Sequence, residues 1–103
     1  MDFYELELNN SYANQDFDVT IDEINNNFHI YLQTINNLLY LTVSVNDVQI
    51  GDPFVCYPNQ PVIPYPYMAE QIGGNLIFIC EEDNYPYYEN FNVTCRLYFY
   101  TDP

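Results

Sequence analysis

Apolar and polar side chains alternate with a period of two over most of the chain. In Tyr4-Glu5-Leu6-Glu7-Leu8 the apolar residues hold the even positions and the acids the odd ones. In Asp16-Phe17-Asp18-Val19-Thr20-Ile21-Asp22, Phe17, Val19 and Ile21 face one way and the polar residues the other. Successive strand side chains point to opposite faces, so both stretches predict half-buried strands of an antiparallel sheet. Glu23-Ile24-Asn25-Asn26-Asn27 reads as a turn, because Asn tolerates the left-handed backbone region. The next strand carries Phe28, Ile30 and Leu32 on one face and His29, Tyr31 and Gln33 on the other. Asn36-Asn37 marks a turn, Leu38 to Val45 a strand with Leu39, Leu41, Val43 and Val45 aligned, and Asn46-Asp47 a further turn. Three strands joined by two short Asn turns predict a meander.

The second half is less regular. Val48-Gln49-Ile50 and Phe54-Val55-Cys56-Tyr57 are short extended pieces around Gly51-Asp52-Pro53. Residues 57–67 hold Pro58, Pro61, Pro64 and Pro66. Proline donates no ladder hydrogen bond and restricts the residue before it, so this stretch is an ordered surface loop, not a central strand or a helix. Met68-Ala69-Glu70-Gln71 predicts a single helical turn ended by Gly73-Gly74. Leu76-Ile77-Phe78-Ile79-Cys80 is apolar on both faces and reads as the most buried strand. Residues 81–92 form an acidic aromatic loop. In the closing strand, Val93, Cys95, Leu97 and Phe99 face the core, while Thr94, Arg96, Tyr98 and Tyr100 face out. About seven short strands with frequent turns predict an all-β fold, a small antiparallel β-sandwich or partly open barrel with at most one short helical turn. With neither a repeat nor a boundary in evidence, residues 1–103 read as one β domain.

Charge narrows the function. Fifteen acids stand against one arginine and no lysine, a formal net charge of −14. Nucleic-acid binders neutralise phosphates with Lys and Arg, so direct nucleic-acid binding is excluded, as is direct binding to an anionic membrane. Lysine is absent beside fourteen asparagines, although the two share a codon box, which points to pressure against positive charge. Disordered acidic tails lack aromatics, whereas this chain has twelve Tyr and seven Phe. The start of the chain lacks the basic and apolar regions of a signal peptide.

Candidate chemistry is sparse. Cys56, Cys80 and Cys95 are an odd set without CxxC spacing and read as buried thiols rather than a disulfide framework or zinc site. His29 stands on the polar face of a strand with nothing local to mark it as a base. Glu81, Glu82 and Asp83 read as a solvated turn, since the alternation of an EF-hand loop is missing. Gly73-Gly74 lacks the lysine and following helix of a phosphate loop. No catalytic residue, metal or cofactor is expected, and the chain is not expected to be an enzyme. Arg96 should find a carboxylate within the molecule or across an interface. Tyr57, Tyr65 and Tyr67 alternate with prolines, and Tyr85, Tyr87 and Tyr88 flank Pro86. Tyrosine is enriched at protein interfaces, so these residues and Arg96 are the interface candidates.

From Val48 to Tyr100 the order is a short strand, Gly51, an apolar piece, an aromatic-proline stretch, Gly73-Gly74-Asn75-Leu76-Ile77-Phe78-Ile79, an acidic Pro/Tyr loop and Arg96-Leu97-Tyr98-Phe99-Tyr100. This resembles the plug family of contractile-tailed phage baseplates, of the cyanophage type. Val62-Ile63 stands where the family has a Leu-Leu pair. The resemblance implies a structural virion protein without catalytic residues, made in the host cytoplasm. It would sit at the end of the tail tube as a plug or adaptor. Its partners would be other baseplate, tail-tube and hub subunits, with several copies in a symmetric assembly. The alternative from charge alone is an acidic DNA mimic that inhibits a nucleic-acid-binding enzyme.

Overall fold

The computed structural model describes residues 2–21, 26–81 and 84–101. Among these the chain forms eight strands: β1 (Phe3–Leu6), β2 (Gln15–Ile21), β3 (Asn26–Ile35), β4 (Leu38–Val45), β5 (Val48–Gln49), β6 (Phe54–Val55), β7 (Gly74–Cys80) and β8 (Cys95–Thr101). One helix, α1 (Pro66–Ile72), precedes β7, and a 3₁₀ turn spans Tyr88–Asn90. The alternating amino-terminal half builds a five-stranded antiparallel sheet ordered β2-β3-β4-β5, with β6 also paired to β4. The other sheet has three antiparallel strands ordered β1-β8-β7, so the two ends of the chain lie side by side.

Asparagine makes the hairpins. Asn36 and Asn37 have φ of 51° and 66°, and Asn46 and Asp47 have 49° and 70°. Two consecutive left-handed residues give the two-residue turn whose twist matches that of its flanking strands. The inner faces then meet. Phe28, Ile30, Leu32, Leu39, Leu41 and Val43 from one sheet and Leu76, Phe78, Leu97 and Phe99 from the other are almost fully buried. The Phe28 and Phe99 rings lie 5.1 Å apart across the gap. The result is the expected β-sandwich.

Several local expectations change. Asn26 and Asn27 do not turn; they extend β3 opposite Ile21 and Thr20. The Asn46 side chain accepts from the Asn27 N–H at 3.1 Å, and the Asn46 N–H donates to the Asn27 carbonyl, which holds Asn27 in the strand. The rest of that expected turn lies at residues 22–25, outside the described residues. The helix runs from Pro66 to Ile72, longer than the single turn expected at 68–71, and so takes in Pro66 and Tyr67, which were read as the end of a non-helical loop. Proline suits its first turn, and Gly73 closes it with φ of 79°. Gly74 follows because a Cβ there would stand 2.0 Å from the Tyr100 carbonyl oxygen. Val93 is 58% exposed, not in the core. Asn92 adopts φ of 64° and the Val93 and Thr94 N–H groups both donate to the Asn90 carbonyl, so a turn interrupts the alternation and Phe91 takes the core site.

Candidate interaction surfaces

The proline segment is laced to the outer edge of β7. The Asn59 N–H donates to the Phe78 carbonyl and the Val62 N–H to the Leu76 carbonyl, each at 2.7 Å. The Asn59 side chain accepts from the Cys80 N–H at 2.9 Å and donates to the Cys80 carbonyl at 3.2 Å. Further along, the Asn75 side chain accepts from the Ile63 N–H at 3.0 Å and donates to the Ile63 carbonyl at 2.9 Å. Two asparagine side chains thus satisfy backbone groups that the prolines cannot, and the edge is closed to other strands. Val62 and Ile63, where the family pair was expected, are buried. Between this segment, α1 and the start of β7 lies a cavity of about 460 Å³, bordered by Pro64, Pro66, Glu70, Asn75 and Tyr100.

The tyrosine candidates divide. Tyr65 caps α1 and Tyr67 lies in its first turn; both are exposed, their rings 5.8 Å apart. Tyr57 is also exposed, but it precedes Pro58, which bridges to Phe78 near the opposite end of β7. Seven strand residues separate those ends by about 20 Å. The Cys80 end carries the second aromatic loop, with Tyr85 exposed and Tyr87 and Tyr88 half-buried, their rings 4.8 Å apart. The Glu89 carboxylate, then Tyr87, raises the pKa of Tyr88. Phe91 anchors this loop by stacking on Phe78 at 5.9 Å. Glu81 is exposed; Glu82 and Asp83 lie outside the described residues.

The outer face of the three-stranded sheet is the surface that sequence reasoning missed. Register places Phe3 beside Tyr100, Glu5 and Ile77 on either side of Tyr98, and Ile79 beside Arg96. Phe3 stacks on Tyr100 at 5.4 Å and meets Tyr98 edge-on at 6.2 Å. Phe3 is 54% and Ile79 42% exposed. The second apolar face of β7 was expected to be covered, yet it opens outward here. The signal was present in the odd-numbered positions, but it needed β1 to begin at Phe3 and β8 to lie between β1 and β7. Arg96 pairs with Glu5 at 3.4 Å on the same face, the first of the two partners open to it, a carboxylate within the molecule.

The outer face of the five-stranded sheet is polar. Across it, Asp18, His29 and Ser44 form one register row, the residue types of a hydrolytic triad. Their geometry differs from a triad. His29 Nδ1 contacts Asp18 at 2.7 Å and Nε2 contacts Asp16 at 3.1 Å. The Asp18 hydrogen bond is the main cause that raises the His29 pKa. Both ring nitrogens are engaged by carboxylates, which leaves neither for Ser44. Nor can the two carboxylates and the ring share one metal ion, since they stand on opposite nitrogens. Among the described residues there is no group of three metal-ligating side chains, and no helix long and apolar enough to cross a membrane.

One sheet therefore presents a polar, acidic face and the other an aromatic, apolar one, with aromatic loops at both ends of β7. That is a two-sheet antiparallel β-sandwich whose outer faces differ in character. The family described as cyanophage baseplate Pam3 plug gp18 matches residues 3–102. The chain belongs to this family of baseplate plug proteins, as the resemblance of its second half implied, and the match extends through the amino-terminal sheet as well. No curated protein matches the chain.

Proposed function

We propose that the protein is the structural plug of a phage tail baseplate, a single β domain that packs against tail-tube and hub subunits in several symmetric copies. Family membership supports the baseplate role and the virion location. The observation that carries the packing mode is the exposed outer face of β1, β8 and β7, with Phe3 and Ile79 at opposite corners and Tyr98 between them. Solvated sheet faces carry polar side chains, as the five-stranded sheet does here, so an apolar one marks a contact. Tyr57, Tyr65, Tyr67, Tyr85, Tyr87 and Tyr88 extend that contact around both ends of β7, and Arg96 orders its rim.

The charge of −14 does two things in this reading. It keeps the free subunit soluble before assembly, and it repels DNA phosphates passing through the tube. The subunit itself touches neither nucleic acid nor membrane, has no enzymatic role and is made in the host cytoplasm. The decoy alternative loses ground because the acids are scattered over strands and turns, and α1 holds only Glu70.

The test is incorporation. A Phe3→Ser, Ile79→Glu double variant should fold with the wild-type circular dichroism spectrum but be missing from purified virions by mass spectrometry. Incorporation at the wild-type level would refute this contact face, and absence of the wild-type chain from virions would refute the role.

A further inference from the structure

Cys80 and Cys95 face each other across β7 and β8. The Glu81 N–H donates to the Thr94 carbonyl at 2.8 Å, just beyond the pair. The Cys80 N–H turns away to the Asn59 side chain, and the Cys95 carbonyl accepts from the Asn92 N–H at 2.9 Å. The two cysteines are thus a non-hydrogen-bonded pair, the kind whose Cα atoms lie about 4.5 Å apart and whose side chains lean together. A disulfide needs a Cα separation of about 4.4–6.8 Å. The Cys95 thiol donates to the Tyr85 carbonyl at 3.4 Å, and Cys56 lies buried in the loop after β6.

We propose that Cys80 and Cys95 are a redox-responsive dithiol, which a low-molecular-weight disulfide converts into a cross-strand disulfide that staples β7 to β8. This inference is independent of the baseplate role. Cys80 reacts first: it is 6% exposed and followed by the exposed Glu81, whereas Cys95 is fully buried. Its thiolate attacks one sulfur of oxidised glutathione, whose S–S bond breaks. One glutathione thiolate leaves and takes up the proton that Cys80 lost. Cys95 then gives up its proton and attacks the Cys80 sulfur of the mixed disulfide, expelling the second glutathione, which is protonated in turn. Two protein thiols are oxidised and one small disulfide is reduced to two thiols. Burial holds the Cys80 thiol well above its ordinary range, so the reaction quickens as pH rises. The dithiol persists in a reducing cytoplasm and closes in an oxidising medium.

Reduced full-length protein, kept folded, is treated with excess oxidised glutathione at about pH 8.5, near the ordinary thiol value. Intact mass should fall by two hydrogens. Cleavage after Glu70, Glu81 and Glu89 separates the three cysteines, and the 71–81 and 90–103 peptides should emerge linked with Cys56 free. Tm should rise by about 5–15 °C and return on reduction. A Cys56→Ala variant should form the same link, and Cys95→Ala should stop at one glutathione adduct. Because the mapping uses the wild-type chain, a misfolded variant leaves it intact. Failure to lose two hydrogens, or a link through Cys56, overturns the proposal.

Discussion

Asn75→Ala is expected to be among the most damaging single substitutions outside the apolar core. Asn75 is 8% exposed and is the one buried polar or charged side chain among the described residues. Its amide accepts from the Ile63 and Leu76 N–H groups at 3.0 and 2.7 Å and donates to the Ile63 carbonyl at 2.9 Å. Truncation leaves both Ile63 backbone groups and the Leu76 N–H facing a void. Each unsatisfied buried group costs about 1–3 kcal/mol, so the three together cost about 3–9 kcal/mol. Asn75 also borders the cavity beside α1, from which water can reach part of the gap. That favours the lower half of the range, about 3–6 kcal/mol. A chain of this length has about 5–15 kcal/mol of stability in all, and each kcal/mol is worth about 4–8 °C of Tm. Thermal and urea unfolding followed by circular dichroism should show Tm lower by about 12–48 °C. Asn59→Gly is the internal control, because glycine keeps the left-handed φ of 59° at that position. It removes a similar two-bond clasp on the same edge, but Asn59 is exposed, so water replaces the amide at a cost of about 1 kcal/mol. Equal losses at the two sites, or a loss under about 1 kcal/mol at Asn75, would refute the reasoning that burial sets the cost.

Two further outcomes test the charges. The folded state raises the His29 pKa above 6.5, so the stability it contributes is fully present below that value and is lost as pH climbs through the folded pKa. NMR titration of the ring should show that elevation, Asp18→Asn should lower it most, and salt should shrink it because the cluster is exposed. Arg96→Ala should change urea stability by no more than about 1 kcal/mol, since both partners of its ion pair with Glu5 are substantially exposed.

The strands and hairpins were legible because their determinants are local. Alternation at Phe17, Val19 and Ile21 and at Leu39, Leu41, Val43 and Val45 defines a face without reference to any other segment. Asn36-Asn37 and Asn46-Asp47 carry their left-handed turns in their own side chains. The reading failed where a distant partner decided the outcome. Val93 continues the alternation of β8 on paper, but Phe91 fills the core beneath it once Asn92 turns. Tyr57 and Tyr65 lie in surface loops as read, but Tyr67 falls inside α1, and Tyr57 lies apart from both because the proline segment runs along β7 from one end to the other.

By itself, the sequence determined an all-β chain, most of its strand positions and an acidic surface unsuited to phosphates. Each of these follows from side-chain period, turn chemistry or net charge. The tertiary structure alone decided that Phe3, Tyr98 and Ile79 share an open face, that Asn75 satisfies a proline segment, and that Cys80 meets Cys95. Those depend on which strands pair and in what register. A period of two says which side chains share a face of a strand, but only long-range pairing says what covers that face.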